Sequence, residues 1–389
     1  MSGLTDWISV MQDDLQRRGR LRKIPAVDYG ADLMAEVQGK KVLNLASNNY
    51  LGLSGHPEMK AASIKAIETY GTSSGASRLV SGNFSLYGEL ESSLASLKKQ
   101  EAALVLGSGY AANLALCGTF ADRRTVVFSD RLNHASIVDG IILSRARQVR
   151  YRHNDMDHLA HCLEKYRDYP RKLLITDSVF SMDGDRADLM SIVRLCKDHG
   201  VPMAVDEAHA TGILENGRGL ACELGVEREI DLHMGTLSKG LGSHGGFIAG
   251  DHRLIAMIAN RGRSFIFSTA LPPAVIGAGL CGVQLVRAHP QWGRDLLRHS
   301  EAFRQWLLSS GFTVGPSTTQ IIPVILGDNN AVLAARDSLL ANGILVSAIR
   351  PPTVPEGTAR LRLALRSDLG RRDMEHLRSA FTVLRQEMG

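Results

Sequence analysis

The stretch VPMAVDEAHATG, residues 201–212, passes from an apolar segment directly into charged and small residues. Its first five residues, Val201–Val205, form the kind of short run that is typical of a strand buried on both faces. Helical patterns lie between such runs, as at Glu89–Lys99 and Leu189–Asp198. Further apolar runs occur at Thr125–Ser129, Leu173–Thr176 and Phe247–Ala249. This alternation predicts βαβ units and an α/β fold with a mostly parallel sheet.

Polar residues follow several of these runs. In open sheets of this kind, ligands bind beyond the carboxyl ends of the strands. The residues in question are 130–134, 177–181, 206–209 and 236–239. The sequence therefore predicts a ligand site at one edge of the sheet.

The two ends of the chain have a different pattern. The first segment, to about Lys23, reads as a charged amphipathic helix. After about Pro290 a helix at 294–308 precedes short strands at 320–326, 345–349 and 360–365 and a closing helix at 372–387. We therefore expect three parts: an N-terminal helix and arm (1–45), a large domain with the predicted site (46–290) and a small C-terminal α+β domain (291–389).

Composition narrows the class of protein. The 389 residues are 44% hydrophobic, which is enough for a large core. No long uncharged apolar segment and no signal peptide are recognisable, so we expect a soluble cytoplasmic protein and no membrane partner. The 45 basic and 40 acidic residues are interspersed, so nucleic acid is not indicated. The five cysteines are scattered, which favours reduced thiols: Cys117, Cys162, Cys196, Cys222 and Cys281.

A cluster of possible metal ligands is also present in the sequence. It consists of His153, Asp155, Asp157, His158 and His161. Their spacing matches no zinc site, and the polar start of a helix explains them better. No metal site is predicted.

Lys239 and Asp206 carry the strongest chemical signal. Lys239 stands between small residues at a predicted strand end, and a lysine placed deep in a protein loses its charge readily and becomes a nucleophile. Asp206 ends a buried strand, where a carboxylate needs a donor or a cation such as a protonated pyridine nitrogen. Taken singly, an exposed loop lysine and a helix-capping aspartate are the commoner situations.

A glycine-containing turn precedes a helical pattern at GSGYAAN, residues 107–113. Such a turn offers bare N–H groups to a phosphate, although most turns of this type are only turns. The segment GLGSHG, residues 240–245, fits a dinucleotide pattern but precedes a strand-like run instead of opening a helix. The turn, Asp206 and Lys239 together are much more specific than any one of them.

Four motifs together resemble the α-oxoamine synthases, which are fold-type I pyridoxal-phosphate enzymes. The motifs are LASNNYLGL (45–53), TDSVFSMDGD (176–185), VDEAHATG (205–212) and TLSKGLGSHGG (236–246). The resemblance covers nearly the whole chain. It implies a fold-type I transferase in which a large domain with a mostly parallel sheet is joined to a smaller C-terminal α+β domain. Residues 260–274 and 349–365 are similar to the biotin-pathway branch of that family.

The resemblance implies roles for individual residues. Lys239 would hold pyridoxal 5'-phosphate as a Schiff base, and Asp206 would pair with the pyridine nitrogen. Gly109 and Tyr110 would offer backbone N–H groups to the cofactor. His134 would stack on the ring and contact the substrate, so that Lys239, His134 and Asp206 form the catalytic set.

Further contacts are implied at positions that match the family. Additional cofactor contacts would come from Ser181, His209 and Thr236 and, across the interface of a homodimer, from Ser268 and Thr269. Substrate contacts would come from Asn48, Thr353, Arg362 and Arg22, or from Arg20 in the same basic run. Singly, Ser181 and Thr236 also fit strand-end caps, and Arg360 fits a local ion pair.

The implied reaction joins L-alanine to a pimeloyl thioester, of coenzyme A or acyl carrier protein, with loss of carbon dioxide. A sister synthase that uses glycine or serine with another acyl-CoA would share the cofactor site. An aminotransferase of the same fold, a cofactor-binding regulator and a nicotinamide oxidoreductase are the other hypotheses.

Overall fold

The computed structural model describes residues 3–22 and 24–389. They form two compact units. The large unit comprises residues 48–181 and 185–296, and the small unit comprises the described residues up to Ser47 together with 182–184 and 297–389. The three-part division expected from the sequence, with residues 1–45 as a separate arm, stays a prediction. The described residues up to Ser47 fall in the same compact unit as the C-terminal segment.

The strands and helices are as follows in chain order. The strands are β1 (Met34–Val37), β2 (Lys40–Asn44), β3 (Ala102–Leu106), β4 (Thr125–Asp130), β5 (Arg147–Tyr151), β6 (Arg171–Asp177), β7 (Met203–Asp206), β8 (Leu232–Thr236), β9 (Gly246–Gly250), β10 (Ile321–Gly327), β11 (Ile344–Leu345), β12 (Ser347–Ile349) and β13 (Ala359–Ala364). The helices are α1 (Leu4–Arg17), α2 (Pro57–Tyr70), α3 (Leu86–Leu97), α4 (Gly109–Phe120), α5 (Ala135–Ser144), α6 (Met156–Lys165), α7 (Leu189–Asp198), α8 (Leu220–Glu223), α9 (His252–Arg261), α10 (Arg263–Ile266), α11 (Pro273–Ala288), α12 (Gln291–Ser309), α13 (Asn329–Ala341) and α14 (Arg371–Glu387).

The large unit is built on a seven-stranded sheet with the strand order β3-β9-β8-β7-β6-β4-β5. Its strands are parallel except β9, which runs antiparallel to both β3 and β8. The α/β fold expected from the sequence is therefore confirmed. β7 begins at Met203, later than the predicted Val201, and Pro202 between them has no N–H to donate to a neighbouring strand.

A continuous apolar cluster fixes this sheet in place. Leu106, Val127, Ile175 and Ile248 from four of its strands pack in one cluster with Leu116 of α4, and all are buried. Full burial of each such side chain contributes about 1.5–3 kcal/mol. The sheet is therefore a rigid support for the residues at its ends.

Four neighbouring strands end in polar residues at one edge of the sheet. Asp130, Asp177, Asp206 and Thr236 are the last residues of β4, β6, β7 and β8. In the register of β6 and β7, Asp177 lies directly beside Asp206. Because parallel strands end at a common edge, residues far apart in the sequence are collected there.

The small unit contains two three-stranded sheets, β1-β2-β11 and β10-β13-β12. The single strand predicted at 345–349 is two strands, because β11 pairs with β2 whereas β12 pairs with β13. The predicted N-terminal helix ends at Arg17, and Gly19 follows in a left-handed turn with φ of 61°. Lys23, where the helix was expected to end, lies outside the described residues.

None of the helices formed by residues 3–22 and 24–389 has both the length and the apolar composition needed to cross a lipid bilayer.

Candidate active site

A chain of hydrogen bonds leads from Lys239 into the large unit. The Lys239 Nζ lies 2.9 Å from the Nε2 of His209. The Nδ1 of His209 lies 2.7 Å from the Tyr50 hydroxyl, which donates to the Oδ1 of Asn48 at 3.1 Å. The structure thus brings together Lys239, His209 and Asn48, which the sequence analysis had named, and adds the buried Tyr50. Tyr50 stands within the LASNNYLGL motif, two residues after Asn48, and that position was its only signal in the sequence.

Two glycines allow the lysine loop to approach the histidine loop. A Cβ atom on Gly240 would lie 2.6 Å from the carbonyl oxygen of Thr211. Gly212 has φ of +88°, and a Cβ atom there would lie 3.0 Å from the Gly240 backbone. Since real Cβ atoms do not approach other atoms this closely, side chains at these positions would push the loops apart. The contact between Lys239 and His209 therefore depends on both glycines.

Asp206 is buried and held by neutral donors. Its Oδ2 accepts from the Nδ2 of Asn113 at 2.8 Å, and its Oδ1 accepts from the N–H of Ala208 at 2.9 Å. Its side chain is 5% exposed, and in the described part of the chain no lysine, arginine or histidine forms an ion pair with it. A buried carboxylate without a cation is costly, so this position favours a positively charged ligand atom.

His134 and Asp177 complete this edge of the sheet. His134 caps the N-terminus of α5, and its N–H donates to Asp177 Oδ2 at 3.0 Å. The ring is solvent-accessible, yet desolvation by the surrounding protein lowers the pKa of His134, with Asp206 raising it and Lys239 lowering it further. Burial, reinforced by the neighbouring Asp206, raises the pKa of Asp177 well above its usual value. Because its pKa is lowered, the imidazole of His134 is neutral at pH 7.

The N-terminus of α4 is suited to an anion. Ser108 caps the helix by accepting from the N–H of Ala111 at 3.0 Å. Among the described residues, neither the Gly109 nor the Tyr110 N–H donates to a protein acceptor. Thr236 lies beside this turn, since a Cβ atom on Gly109 would be 3.7 Å from its Oγ1. Free N–H groups at a helix N-terminus bind phosphate well.

The remaining predicted cofactor residues of the large unit lie near these groups or at the surface. The Thr236 hydroxyl donates to the Gly245 carbonyl at 2.7 Å, so its contact with a phosphate stays a prediction. Ser181 is half-buried in the turn after β6. Ser268 and Thr269 line a small cavity together with Gly107, which precedes α4. Their predicted reach into a neighbouring subunit also stays a prediction.

The other predicted substrate residues belong to the small unit. Arg362 is buried in the middle of β13. The Nη2 of Arg22 donates to the Oγ1 of Thr353 at 3.3 Å. Arg22 and Thr353 line a cavity of about 90 Å³ together with Arg20 and Arg350. Arg360, two residues before Arg362 and therefore on the same strand, forms an ion pair with Asp183.

Two histidines of the segment 153–161 form hydrogen bonds with other parts of the protein. The Nδ1 of His153 lies 3.0 Å from Asp130 Oδ1, and its Nε2 lies 2.8 Å from Asp185 Oδ2. His158 accepts from the N–H of Arg152 through Nδ1 at 2.8 Å. The structure therefore separates these histidines instead of joining them around one point.

The residues at the sheet edge fit pyridoxal 5'-phosphate. The cofactor requires an amine for its aldehyde, a carboxylate for its protonated ring nitrogen and a phosphate cradle. Lys239 would supply the amine, and Asp206, which forms no ion pair among the described residues, would supply the carboxylate. The N–H groups of Gly109 and Tyr110, which donate to no acceptor in the described part of the chain, would supply the cradle. The fit therefore rests on a carboxylate that pairs with no cation and on two N–H groups that have no acceptor among the described residues.

Comparison with known proteins agrees with this chemistry. The family described as aminotransferase class I and II matches residues 40–381. A serine palmitoyltransferase of S. paucimobilis, solved with a bound PLP–myriocin aldimine, is similar with a TM-score of 0.94, 30% identity and full coverage of both chains. The chain therefore belongs to the class I and II aminotransferase family and is a fold-type I pyridoxal-phosphate enzyme.

Curated relatives define the family more narrowly. The 8-amino-7-oxononanoate synthase of Geobacter sulfurreducens is 46% identical over 96% of this chain and 97% of its own length. That of Anaeromyxobacter dehalogenans is 46% identical over 93% of this chain and 91% of its own length. A solved 8-amino-7-oxononanoate synthase from Francisella tularensis has a TM-score of 0.76 at 25% identity, covering 89% of this chain and 98% of that one. Within the larger family, the chain belongs with the 8-amino-7-oxononanoate synthases.

Proposed function

We propose that this protein is a pyridoxal-phosphate-dependent acyltransferase that condenses L-alanine with a pimeloyl thioester. The products would be 8-amino-7-oxononanoate, carbon dioxide and the free thiol of the carrier, in the pathway to biotin. The observation that carries the proposal is the Lys239 amine held 2.9 Å from His209, at the same sheet edge as an Asp206 without a cation. The 46% identity to curated synthases supports the choice of substrates.

Pyridoxal 5'-phosphate, when bound, supplies an aldehyde that condenses with amines and a protonated ring that accepts electrons released at the α-carbon of an amino acid. Asp206 would keep the ring nitrogen protonated, because no cation among the described residues pairs with its buried carboxylate. Gly109 and Tyr110 would hold the phosphate through their N–H groups. These residues orient the cofactor and tune its charge.

Lys239 would have a second task besides holding the cofactor, at the stage when its amine is free. The free amine is then placed to remove the α-proton of alanine as a general base. His209 accepts a hydrogen bond from this amine through Nε2, and Tyr50 holds the other ring nitrogen at 2.7 Å. The imidazole therefore keeps the amine directed at one position. His134 would restrict one face of the cofactor ring and help to position the acyl donor.

Two groups on the chain suit the carboxylate of alanine. Asn48 holds the end of the hydrogen-bonded chain that begins at Lys239. Arg362 offers a guanidinium that can bind a carboxylate through two parallel hydrogen bonds, which fixes orientation as well as charge. We propose that both contact the amino acid.

The cavity beside Arg22 favours an acyl group that ends in a negative charge. Arg20, Arg22 and Arg350 line it, with Thr353 at the Arg22 guanidinium. Arg20 already forms an ion pair with Glu356, so the positive charge left in the cavity is that of Arg22 and Arg350. Burial, together with the guanidiniums of Arg336 and Arg22, lowers the pKa of Arg350, and an anion there would offset this charge. Pimelate bound as a thioester retains one free carboxylate. A palmitoyl chain has none.

The second candidate is the sister reaction of serine with palmitoyl-CoA. It is favoured by the greater structural similarity to serine palmitoyltransferase, with a TM-score of 0.94 against 0.76 for the solved 8-amino-7-oxononanoate synthase. The sequence identity favours alanine and pimeloyl thioester, at 46% against 30%. The arginine-lined cavity also argues against a plain alkyl chain.

The test is a substrate panel on the purified enzyme loaded with pyridoxal phosphate. Alanine, glycine and serine are each combined with pimeloyl-CoA, heptanoyl-CoA, acetyl-CoA and palmitoyl-CoA, and released thiol and carbon dioxide are measured. We expect alanine with pimeloyl-CoA to give the highest kcat/KM. Preference for serine with palmitoyl-CoA would contradict the proposal. Release of an oxo acid without carbon dioxide would indicate an aminotransferase.

Heptanoyl-CoA separates the charge of the acyl group from its length. It has the same chain length as pimeloyl-CoA and lacks the terminal carboxylate. Arg350→Gln should raise the KM for pimeloyl-CoA about tenfold to a hundredfold, since hydrogen bonds to charged groups contribute ~1.5–3 kcal/mol. Its effect on heptanoyl-CoA should be much smaller. Equal effects on both thioesters would refute the role assigned to the cavity.

We also propose that the enzyme acts as a homodimer in the cytoplasm. The predicted reach of Ser268 and Thr269 to the neighbouring subunit's phosphate supports the dimer. Five cysteines that form no disulfide support a reducing compartment. Equilibrium sedimentation of the purified protein would show a single species of half the proposed mass if the dimer is wrong.

A further inference from the structure

Asn113 lies in the second turn of α4 and is completely buried. Its Nδ2 group donates both of its hydrogens, one to Asp206 Oδ2 at 2.8 Å and one to Ser136 Oγ at 2.9 Å. Its Oδ1 is also buried, and no partner for it exists among residues 3–22 and 24–389. An unsatisfied buried carbonyl lowers stability. The unpaired Oδ1 of Asn113 therefore lowers the stability of the fold, while both hydrogens of Nδ2 are used in hydrogen bonds.

Asp206 determines which way this amide points. A carboxylate only accepts hydrogen bonds, so the reversed amide would set Oδ1 against Oδ2 and repel it. With the N–H of Ala208 on its other oxygen, the Asp206 carboxylate is held from two sides. Removal of the Asn113 side chain would leave one oxygen of Asp206 buried without that donor. The carboxylate would then be free to rotate.

The same amide also reaches His134 through Ser136. The N–H of Ser136 donates to His134 Nδ1 at 3.2 Å, so this nitrogen is an acceptor and carries no proton. The Ser136 hydroxyl, 2.7 Å from Nδ1, accepts from Asn113 and therefore donates its own hydrogen to the ring. The neutral imidazole then has its hydrogen on Nε2. One directional chain thus runs from Asn113 through Ser136 to His134.

We propose that Asn113 is a positioning residue for the reaction, acting through Asp206 and, by way of Ser136, through His134. It fixes the carboxylate that faces the ring nitrogen of the cofactor and the tautomer of the imidazole that faces the substrate. The inference rests on the proposed function, because it assigns Asp206 to a protonated pyridine nitrogen.

The test compares Asn113→Ala and Asn113→Asp with Ser136→Ala as the matched control. Asp has the size of Asn but sets an acceptor against Asp206, so a loss in Asn113→Asp does not come from lost volume. Ser136→Ala removes the other partner of the amide and leaves its bond to Asp206 intact. Each protein is measured for affinity toward pyridoxal phosphate, for the pH at which its visible cofactor band changes, and for kcat and KM.

We expect both Asn113 variants to lose about tenfold to a hundredfold in kcat, the range typical of groups that orient a catalytic residue. The KM for alanine should change less than threefold, which corresponds to roughly 0.65 kcal/mol. Their cofactor band should change at a different pH from that of the unmodified enzyme, because Asp206 no longer holds its charge in place. Ser136→Ala should keep the cofactor affinity and the pH of the band.

A double-mutant cycle decides whether Asn113 acts through Asp206. Asn113→Ala should lower the cofactor affinity of the otherwise unmodified enzyme by more than twofold. In an Asp206→Asn background the same substitution should lower it by less than twofold, because the acceptor is already changed. An equal effect in both backgrounds would overturn the proposal, since it would show a general effect on the fold. Asn113 variants with an unchanged band and turnover within twofold would overturn it as well. If the unmodified protein gives no visible band with pyridoxal phosphate, the proposed function fails instead.

Discussion

Raising the pH should weaken this protein through His153. The imidazole lies between two carboxylates, 3.0 Å from Asp130 and 2.8 Å from Asp185. Burial alone would lower its pKa, but the hydrogen bonds and charges of the two carboxylates outweigh burial and raise the pKa of His153 to about 10. Because this value exceeds the pKa of an unfolded histidine, about 6.5, the stabilisation is complete below that pH and is lost as the pH rises through 10.

The size of the effect follows from the difference between the two pKa values. A change from 6.5 to about 10 corresponds to about 5 kcal/mol, an upper figure for a partly accessible ring. About 3 kcal/mol of it should disappear between pH 6.5 and pH 9, by the same linkage. With an unfolding entropy of about 2.1 cal/mol/K per residue, this loss is equivalent to about 4 °C in Tm for 389 residues.

The assay is thermal unfolding of the unmodified enzyme and His153→Gln at several pH values from 6.5 to 9. The Tm advantage of the unmodified enzyme should shrink by about 4 °C across this range, because its unfolded chain loses the His153 proton above pH 6.5 whereas the folded protein keeps it up to about pH 10. His161→Gln is the matched control, since His161 is an exposed histidine of the same segment. It should follow the unmodified enzyme. Parallel Tm curves for the unmodified enzyme and His153→Gln would refute the reasoning.

Three substitutions test the remaining assignments. Lys239→Ala should abolish turnover and covalent attachment of the cofactor, and a borohydride-reducible adduct on another residue would disprove the lysine assignment. Asp206→Asn should retain some cofactor and lose most activity in steady-state assays; near-normal turnover would mean that the ring nitrogen does not depend on this carboxylate. Lys98→Met leaves the fully buried Glu207 without the ammonium 2.9 Å away, so urea unfolding should show a loss of about 3–5 kcal/mol. Lys98→Met combined with Glu207→Gln should recover most of that loss, and an unchanged single variant would contradict the account.

The strands that carry the site were predictable because they are short, apolar and bounded by polar residues. β4, β6 and β9 occur within two residues of their predicted positions, and α7 covers the predicted residues 189–198. Parallel pairing then places the ends of such strands at one edge, whatever their order in the chain. That rule located Asp206 and the segment before Lys239 without any knowledge of their contacts.

The supporting residues were not predictable, because their partners are distant in sequence. Tyr50 meets His209 across 159 residues, and Asn113 meets Asp206 across 93. In the sequence, Asn113 is one polar residue inside an alanine-rich helical pattern, and nothing local shows that it will be buried. Its role depends on which face of α4 packs on the sheet, and that is settled by tertiary packing.

The arginines of β13 show a similar limit. Arg360 and Arg362 alternate with leucines in one strand, and the pattern alone does not say which is bound to a protein carboxylate. Arg360 forms an ion pair with Asp183, a residue that stands far away in the sequence. An ion pair between Arg360 and a carboxylate was expected, and the structure contains one. Its partner, Asp183, belongs to the TDSVFSMDGD motif. The tertiary fold, which brings Asp183 next to Arg360, determines this ion pair.

Asp206 and Glu207 show how folding assigns different tasks to adjacent carboxylates. Successive residues of an extended chain point to opposite sides, so the two side chains enter different surroundings. Burial would raise the pKa of Glu207, but the ammonium of Lys98 at 2.9 Å outweighs it, and the pKa falls to about 2. Asp206 is nearly as buried, but within the described part of the chain its carboxylate is held only by the amide of Asn113 and one backbone N–H. The carboxylate already neutralised by a lysine stabilises the fold, whereas the one left with neutral donors still requires a cation, which makes it the one able to hold a protonated ring.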